Sequence, residues 1–239
     1  MAISKRVSCT AVIMCCVLAG LAGLASAQEN AAGAKAAQKK RPNPAFAKVD
    51  DIPKLPRVLL IGDSISIGYT AATRALLKGQ ANVHRIPTNG GPTTKGMQSI
   101  DKWLGDGNWD VIHFNWGLHD LKYIQDKKQV SLDDYDRNLR CLAQRMKKTG
   151  ATLIWCSTTP VPDGVKPPRK NAEVLEYNAV ATKIMDEYGI VTDDLYTFAN
   201  EQLEKIQRPN NVHFTPQGSK TLAKQVADSI LSALKGKSE

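Results

Sequence analysis

The sequence of 239 residues predicts an α/β fold, a three-layer α/β/α sandwich built on a mainly parallel, five-stranded sheet. Two observations support this prediction. Short, continuous apolar runs such as 58–61 are typical of strands that are buried on both faces, as in parallel sheets. Between these runs lie segments whose apolar residues recur every three or four positions, as on one face of a helix. Strands that alternate with helices indicate parallel strands joined by helical crossovers.

The alternation of strands and helices continues to the end of the chain. Ser131 and Asp134 resemble a capping box at the start of a long helix. Thr215 as N-cap and Pro216 at the first helical position mark the start of the last helix. The predicted strands are 58–61, 82–86, 111–115, 152–156 and 190–191. The predicted helices are 70–78, 96–104, 131–149, 174–184 and 216–234.

The amino-terminal residues predict an exported protein. Two basic residues precede the apolar run 11–24, and Ala25-Ser26-Ala27 supplies the small-x-small pattern of a cleavage site. This arrangement predicts a secretory signal peptide at 1–27, cleaved after Ala27, and a secreted or periplasmic protein without stable membrane insertion after cleavage. Residues 28–56, which are basic and contain prolines, are predicted to be a flexible linker to a single domain at 57–236.

The formal charge of +9 does not predict nucleic-acid binding. From Arg57 onward, 24 basic and 20 acidic residues leave the predicted domain with only +4. The remaining charge lies in the signal region and the predicted linker, where a solvated chain explains it.

Two cysteines, Cys141 and Cys156, follow the predicted signal peptide. Both occupy apolar-type positions, one in a helix pattern and one in a strand, and both are predicted to be buried thiols. An exported compartment would also permit a disulfide, and the sequence leaves their redox state open.

Polar residues follow the predicted strands at the points where those strands end. Gly62-Asp63-Ser64 comes directly after the first strand, and Asn89-Gly90-Gly91 lies in the loop after the second. His119 and Asp120 follow the third strand, and His213 precedes the last helix. Because the carboxyl ends of parallel strands lie at one edge of the sheet, we expect these residues to lie close together. A serine that a histidine can reach can act as a nucleophile, and backbone beside glycines can approach a ligand closely.

These segments resemble the sequence blocks of the SGNH hydrolase superfamily, also called GDSL esterases and lipases. Residues 61–66 resemble the first block, which carries the nucleophile, and Gly91-Pro92-Thr93 lies where the glycine of the second block is expected. Residues 117–120 correspond to the third block, Gly-x-Asn-Asp, and 210–213 correspond to the final Asp-x-x-His. The resemblance extends from about residue 57 to about residue 234.

The resemblance implies a flavodoxin-like SGNH fold and a serine esterase, a carboxylic ester hydrolase that needs no cofactor or metal. Ser64 would be the nucleophile and His213 the base. Either Asn210 orients the base, or Asn210 is a turn residue and a backbone carbonyl holds a Ser-His dyad. His119 and Asn210 depart from the family pattern, which has an asparagine and an aspartate at these two positions. A neutral imidazole N–H can replace an amide donor, whereas an amide adds no negative charge to stabilise an imidazolium. The implied oxyanion-hole donors are the Ser64 N–H, the N–H of Gly91 or of Gly90, and the His119 ring.

Export and the absence of a long apolar lid favour an acetyl ester of a carbohydrate over a lipid as the substrate. A small-molecule or glycan ester is therefore the expected partner. The loop at 160–170 either contacts this substrate or is a solvated loop without a role in binding. The sequence leaves two other classes open. One is a non-catalytic carbohydrate-binding protein on a degenerate SGNH fold, which the two departures motivate. The other is a metal-dependent hydrolase with Asp63, His119, Asp120 and His213 as ligands.

Overall fold

The structure, a computed structural model, describes residues 42–236. The predicted signal peptide and the first part of the predicted linker lie outside the described residues. The described residues all belong to one compact unit, Arg41–Glu239, which contains the whole α/β domain. Within 42–236, no helix is both long enough and apolar enough to cross a membrane.

Five parallel strands form the central sheet, which confirms the predicted fold class. In chain order, the strands are Arg57–Ile61 (β1), Asn82–Arg85 (β2), Val111–Phe114 (β3), Tyr123–Ile124 (β4), Lys127–Lys128 (β5), Thr152–Cys156 (β6) and Val191–Asp193 (β7). The sheet has the order β2-β1-β3-β6-β7, and every neighbouring pair in it is parallel. The chain therefore moves from β1 to one edge and then returns past β1 to build the other side. A crevice at the carboxyl ends of two strands at such a reversal is where open α/β sheets bind ligands.

The helices cover the sheet in two packed groups. They are Ser64–Leu76 (α1), Thr93–Leu104 (α2), Leu132–Lys147 (α3), Asn171–Tyr188 (α4), Leu195–Asn200 (α5), Leu203–Ile206 (α6) and Pro216–Lys235 (α7), after a 3₁₀ turn at Pro44–Phe46. Helix α1 packs against α7, whereas α3 packs against both α2 and α4. The caps predicted for α3 and α7 are confirmed, since Ser131 accepts the Asp134 N–H and Thr215 accepts the Gly218 N–H.

Helix α1 begins six residues earlier than the sequence pattern predicts. The side chain of Asp63 accepts the Ile65 N–H at 2.9 Å, so this aspartate caps the helix directly after β1. Alternating serine and isoleucine residues hide this turn from a periodicity argument. As a result, Ser64 is the first residue of α1 and lies at the positive end of the helix dipole.

Cys141 is exposed, so the prediction of a buried thiol at this position is wrong. Successive helix residues are about 100° apart. The buried stripe of α3 includes Leu139 and Leu142, which leaves the intervening Cys141 on the other face. Cys156 is buried as predicted, and both thiols are free.

Residues 42–56, part of the predicted linker, lie against the domain. The buried Asn82 side chain donates to the carbonyl oxygens of Ile52 and Leu55 at 3.0 and 3.1 Å. Its own oxygen accepts the Ile52 N–H at 2.9 Å. Arg74 also donates to the carbonyl oxygen of Pro44 at 3.0 Å. This part of the chain is therefore attached to β2 and α1 by hydrogen bonds that composition alone does not reveal.

Candidate active site

Ser64 and His213 lie in contact at the carboxyl edge of the sheet. Ser64 follows β1 directly, and His213 lies three residues before α7. The His213 Nε2 atom is 2.9 Å from the Ser64 Oγ atom. Because α1 packs against α7, the amino-terminal ends of these helices hold the two side chains together. Both residues are half-buried, so a substrate can reach them from solvent.

Asn211, rather than the predicted Asn210, contacts His213. The Asn211 Oδ1 atom is 2.7 Å from His213 Nδ1 and accepts the His213 backbone N–H at 2.9 Å. An atom that accepts a backbone N–H must be the amide oxygen, so Nδ1 must carry the ring proton. Nε2 then has a free lone pair and accepts a hydrogen bond from the Ser64 hydroxyl. Asn210 has a φ of 50°, and its side chain lies beside Gly164 instead.

The surroundings of His213 favour the neutral imidazole. Burial lowers the pKa of His213 below its ordinary value of 6.5, whereas the Asp63 carboxylate raises it. The positive charges of Arg208 and Arg169 lower this pKa further. A neutral imidazole at neutral pH is the form that can accept the Ser64 proton. Asp63 thus supplies part of the negative charge that the amide of Asn211 does not.

His119 lies beside Asp63 and therefore close to the turn that carries Ser64. Its Nε2 atom is 3.9 Å from Asp63 Oδ2, and the ring is partly exposed. Burial lowers the pKa of His119, and the carboxylate of Asp63 opposes this effect. A neutral His119 ring carries one N–H group, which is the donor that an oxyanion needs.

The glycine loop after β2 is held against the turn that follows β1. The Gly90 N–H donates to the Gly62 carbonyl oxygen at 2.9 Å, and a Cβ atom on Gly90 would lie equally close to that oxygen. Gly91 has a φ of +63°, a conformation that favours glycine. The Gly91 N–H donates to the Asn89 side-chain oxygen at 2.8 Å. Both glycine N–H groups are thus engaged, and an oxyanion would have to displace Asn89 to reach Gly91.

Asp120 connects the loop after β3 to the start of α2. Its Oδ1 atom accepts both the backbone N–H and the hydroxyl of Thr93. Its Oδ2 atom is buried and has no hydrogen-bond partner among the described residues. Burial raises the pKa of Asp120 from 3.8 to about 7. Asp120 therefore ties the loop that carries His119 to the start of α2.

The four side chains of the metal alternative do not form one ligand cluster. Within the part of the chain that the structure describes, the only group of three or more His, Cys, Asp or Glu side chains close enough to share an ion consists of His113, Cys156 and Asp193. These three are buried in the core, where His113 Nε2 is 2.9 Å from Asp193 Oδ2. Gln225 donates to the other oxygen of Asp193 at 3.1 Å. The geometry therefore gives no support to a metal held by His119 and His213.

Residues 60–221 match the sequence model of the GDSL-like lipase/acylhydrolase family, which spans more than half of the chain. The chain belongs to this family. It is accordingly a carboxylic ester hydrolase, and the resemblance of its sequence blocks to those of SGNH hydrolases is confirmed. No curated protein sequence matches the chain.

Several solved structures have the same fold as this GDSL-like hydrolase. The lipase/acylhydrolase from Enterococcus faecalis has a TM-score of 0.65 at 17% identity, over 74% of this chain and 95% of that chain. The acetylxylan esterase Axe2 from Geobacillus stearothermophilus has a TM-score of 0.63 at 20% identity, over 73% and 94%. The acetyl xylan esterase AlAXEase has a TM-score of 0.63 at 15% identity, over 73% and 99%. At these identities the likeness establishes the fold.

The sequence comparison with the GDSL-like family does not identify Asn211, and a local signal could have done so. An asparagine side chain commonly accepts the backbone N–H two residues later, in an Asx turn. Asn211 has this relation to His213, whereas Asn210 does not. Arg169 and Arg208, which act on the pKa of His213, carry no motif and are revealed only by the fold.

Proposed function

We propose that the protein is an exported serine esterase that removes acetyl groups from carbohydrate through a Ser64–His213–Asn211 arrangement. The observation that carries this proposal is the 2.9 Å contact between His213 Nε2 and Ser64 Oγ. The proton on His213 Nδ1, which Asn211 holds in place, leaves Nε2 free to act as the base. Asn211 replaces Asn210 in the role predicted from the sequence.

In the first half of the reaction, Ser64 Oγ attacks the ester carbonyl carbon and its proton passes to His213 Nε2. The tetrahedral intermediate then expels the alcohol, whose oxygen takes that proton from His213. The acetyl group is left on Ser64 as an ester. In the second half, water attacks this ester, gives its proton to His213, and acetic acid is released as Ser64 regains its hydrogen.

The oxyanion is stabilised by donors on three segments. The backbone N–H of Ser64 belongs to the first turn of α1, where the helix dipole favours negative charge. The His119 ring and the Gly91 N–H are the other two proposed donors. The Gly91 donor becomes available when the oxyanion replaces the Asn89 oxygen as its acceptor.

Two features support an acetyl ester of a hydrophilic alcohol. The depression beside Ser64 and His213, about 340 Å³ in volume, is lined by the polar side chains of Arg208 and Ser219 as well as by the apolar Ile65, Phe214 and Pro216. The two acetyl xylan esterases with the same fold act on acetylated xylan, as their names state. The predicted signal peptide supports a secreted or periplasmic location, where such polymers are encountered.

The test of this proposal is hydrolysis of an acetylated xylo-oligosaccharide and of 4-nitrophenyl acetate by the wild type and by Ser64→Ala. We expect Ser64→Ala to lose activity by a factor of about 10⁴ or more, since the nucleophile is absent. Ser66→Ala is the matched control, because Ser66 lies on the same helix and makes no contact with His213 in the structure. Equal turnover by Ser64→Ala, with unchanged thermal unfolding, would remove Ser64 from the mechanism. Glycan binding without turnover by the wild type would support the binding protein instead.

A further inference from the structure

Four cationic side chains lie around the two histidines of the site. Arg169 donates from Nε to the Leu118 carbonyl oxygen at 2.7 Å and from Nη1 to the Pro167 carbonyl oxygen at 3.0 Å. These bonds fix the guanidinium next to the residue that precedes His119. Nη2 has no partner, and Arg169 forms no ion pair with any residue in 42–236. The arginine is therefore oriented by neutral carbonyls, and burial lowers its pKa while the Asp63 carboxylate raises it.

Two lysines lie on the same side of the site as Arg169. Lys122 is half-buried, and burial lowers its pKa. The nearby positive charge of Arg169 lowers this pKa further. Lys95 is anchored on the glycine loop, where its Nζ atom donates to the Asn89 carbonyl oxygen at 2.7 Å. Neither lysine forms an ion pair with a described residue.

The fourth cation, Arg208, lies on the side of His213. Its backbone N–H donates to the His213 carbonyl oxygen at 3.0 Å, which ties it to the loop of the base. Its side chain lines the depression that also contains Ser64 and His213. The Arg208 guanidinium has neither a hydrogen bond nor an ion pair within the described part of the chain.

Two arginines elsewhere on the domain are instead paired with acids. Arg140 is neutralised by Asp136 and Glu187, and Arg57 pairs with Asp51. Around the site, Asp63 is the acid that acts on both histidines, whereas four cations act on one or both of them. Like charges held together with a single nearby counterion cost free energy, and a cleft lined mainly by one sign of charge concentrates ligands of the opposite sign.

We propose that the esterase acts on an acidic glycan, in which the alcohol part of the ester carries an anionic group that Arg208 binds, while Arg169, Lys122 and Lys95 add positive charge around the site. This inference rests on the proposed function and adds the charge of the substrate to it. Guanidinium groups bind carboxylates and sulfates through paired, charge-assisted hydrogen bonds, and Arg208 and Arg169 both offer unused donors. His213 protonates the departing alcohol, so the alcohol part lies on the side of His213, where Arg208 lines the depression.

The experiment compares kcat/KM for three acetylated oligosaccharides of equal length: a neutral xylo-oligosaccharide, one built of uronic acids, and a sulfated neutral one. At low ionic strength we expect an anionic substrate to be preferred about tenfold or more over the neutral one. The uronic and sulfated arms distinguish a carboxylate from a sulfate as the bound group. The preference should decrease clearly at about 0.5 M salt, because the Debye length is then only about 4 Å.

Arg208→Gln and Lys122→Gln are the test variants, and Lys78→Gln is the matched control. Each test variant should reduce the ratio of kcat/KM for the anionic and neutral esters about tenfold. Lys78 follows the far end of α1 and is exposed, so it lies about 20 Å from Ser64 along the helix. Its substitution removes the same charge and should leave the ratio unchanged.

Ser64→Ala provides a measurement that does not depend on turnover. Calorimetric titration of this variant with the three substrates should show tighter binding of an anionic ester than of the neutral ester. Ser64-dependent hydrolysis of the neutral ester without any anionic preference would overturn the charge inference and leave the esterase proposal intact. If no ester is hydrolysed, the proposed function fails, and equal binding of all three esters would overturn the charge inference as well. A preference for a hemisuccinate ester of the neutral sugar over its acetate would place the anion on the acyl part and overturn the assignment to the alcohol.

Discussion

Asn211 orients the proposed base with a neutral amide, and this determines how the site responds to pH. We expect the acid limb of the kcat/KM profile of the wild type to lie below pH 6.5, because burial lowers the pKa of His213. Asn211→Asp places a negatively charged carboxylate next to His213 Nδ1 and should raise the pKa of His213, which moves the acid limb to higher pH. Asn211→Ala should lower kcat without that shift toward higher pH, because the tautomer is no longer held. The measurement is the pH dependence of kcat/KM for the three proteins.

Asn210→Asp is the control for this prediction, since it adds the same charge one residue away without contacting the ring. Asn210 has a left-handed backbone, which aspartate tolerates about as well as asparagine. The shift should be clearly smaller in Asn210→Asp than in Asn211→Asp. Equal shifts in both variants would mean that general charge, and not the Asn211 contact, sets the pKa of His213.

His119 is predicted to act in the transition state. His119→Ala should lower kcat by a factor of about 10² to 10³ with a small change in KM, as expected when one oxyanion donor is lost. His119→Asn restores an amide donor at this position and should retain much of the activity. Steady-state kinetics on 4-nitrophenyl acetate separate the two parameters. An asparagine variant as inactive as the alanine variant would indicate a different role for His119.

The sequence predicts the contact between Ser64 and His213 because each side chain is tied to an element with a strong local signal. Ser64 follows a buried strand, and His213 precedes a helix whose start is marked by Thr215 and Pro216. The choice between Asn210 and Asn211 has no such signal. It depends on one backbone turn, the φ of 50° at Asn210, which periodicity does not encode.

At the scale of elements, Asp120 links β3 to α2, and its protonation should change stability with pH. The pKa of about 7 is above the unfolded value of about 3.9, so the folded state holds this proton more tightly. The contribution to stability is therefore full below about pH 4 and is lost as the pH rises through about 7. Asp120→Asn keeps the acceptor for Thr93 and has no proton to lose.

The measurement for Asp120 is urea unfolding of the wild type and Asp120→Asn at pH 5 and pH 8. The wild type should lose stability relative to the variant between these values, by up to about 3 kcal/mol. Because every other titrating group is present in both proteins, the variant is the reference for the effect of Asp120 in the wild type. Parallel pH profiles would show that the Asp120 carboxyl does not titrate in this range.

Element boundaries depend on side-chain contacts, and this explains where the sequence analysis differs from the structure. The start of α1 is set by one hydrogen bond, which Asp63 accepts from the Ile65 N–H, and the hairpin of β4 and β5 consists of two-residue strands. Neither leaves a periodic pattern long enough to detect. The exposed position of Cys141 follows from the phase of α3, which becomes evident once Leu139 and Leu142 are known to be buried.

At the scale of the whole molecule, Asn82 couples residues 42–56 to the domain. Asn82→Ala should lower the free energy of unfolding by about 2–3 kcal/mol, since it removes three part-buried hydrogen bonds between the Asn82 side chain and the backbone of Ile52 and Leu55. In a chain that begins at residue 57 these partners are absent, so the same substitution should cost much less. Denaturant unfolding of the full chain and of the shortened chain, each with and without Asn82→Ala, gives the coupling free energy between Asn82 and residues 42–56. Additive losses would show that residues 42–56 do not depend on Asn82 for their attachment.

The packing of α1 against α7 also bears on how the protein can be assayed. Ser64 starts one of these helices and His213 precedes the other, so the distance between the two side chains is maintained by the core of the domain. A protein whose reactive pair is assembled in this way should lose turnover on heating only when the core itself melts. The residual activity of crude samples after a heat step would then rank core variants by thermal tolerance, without purification and without a spectroscopic probe.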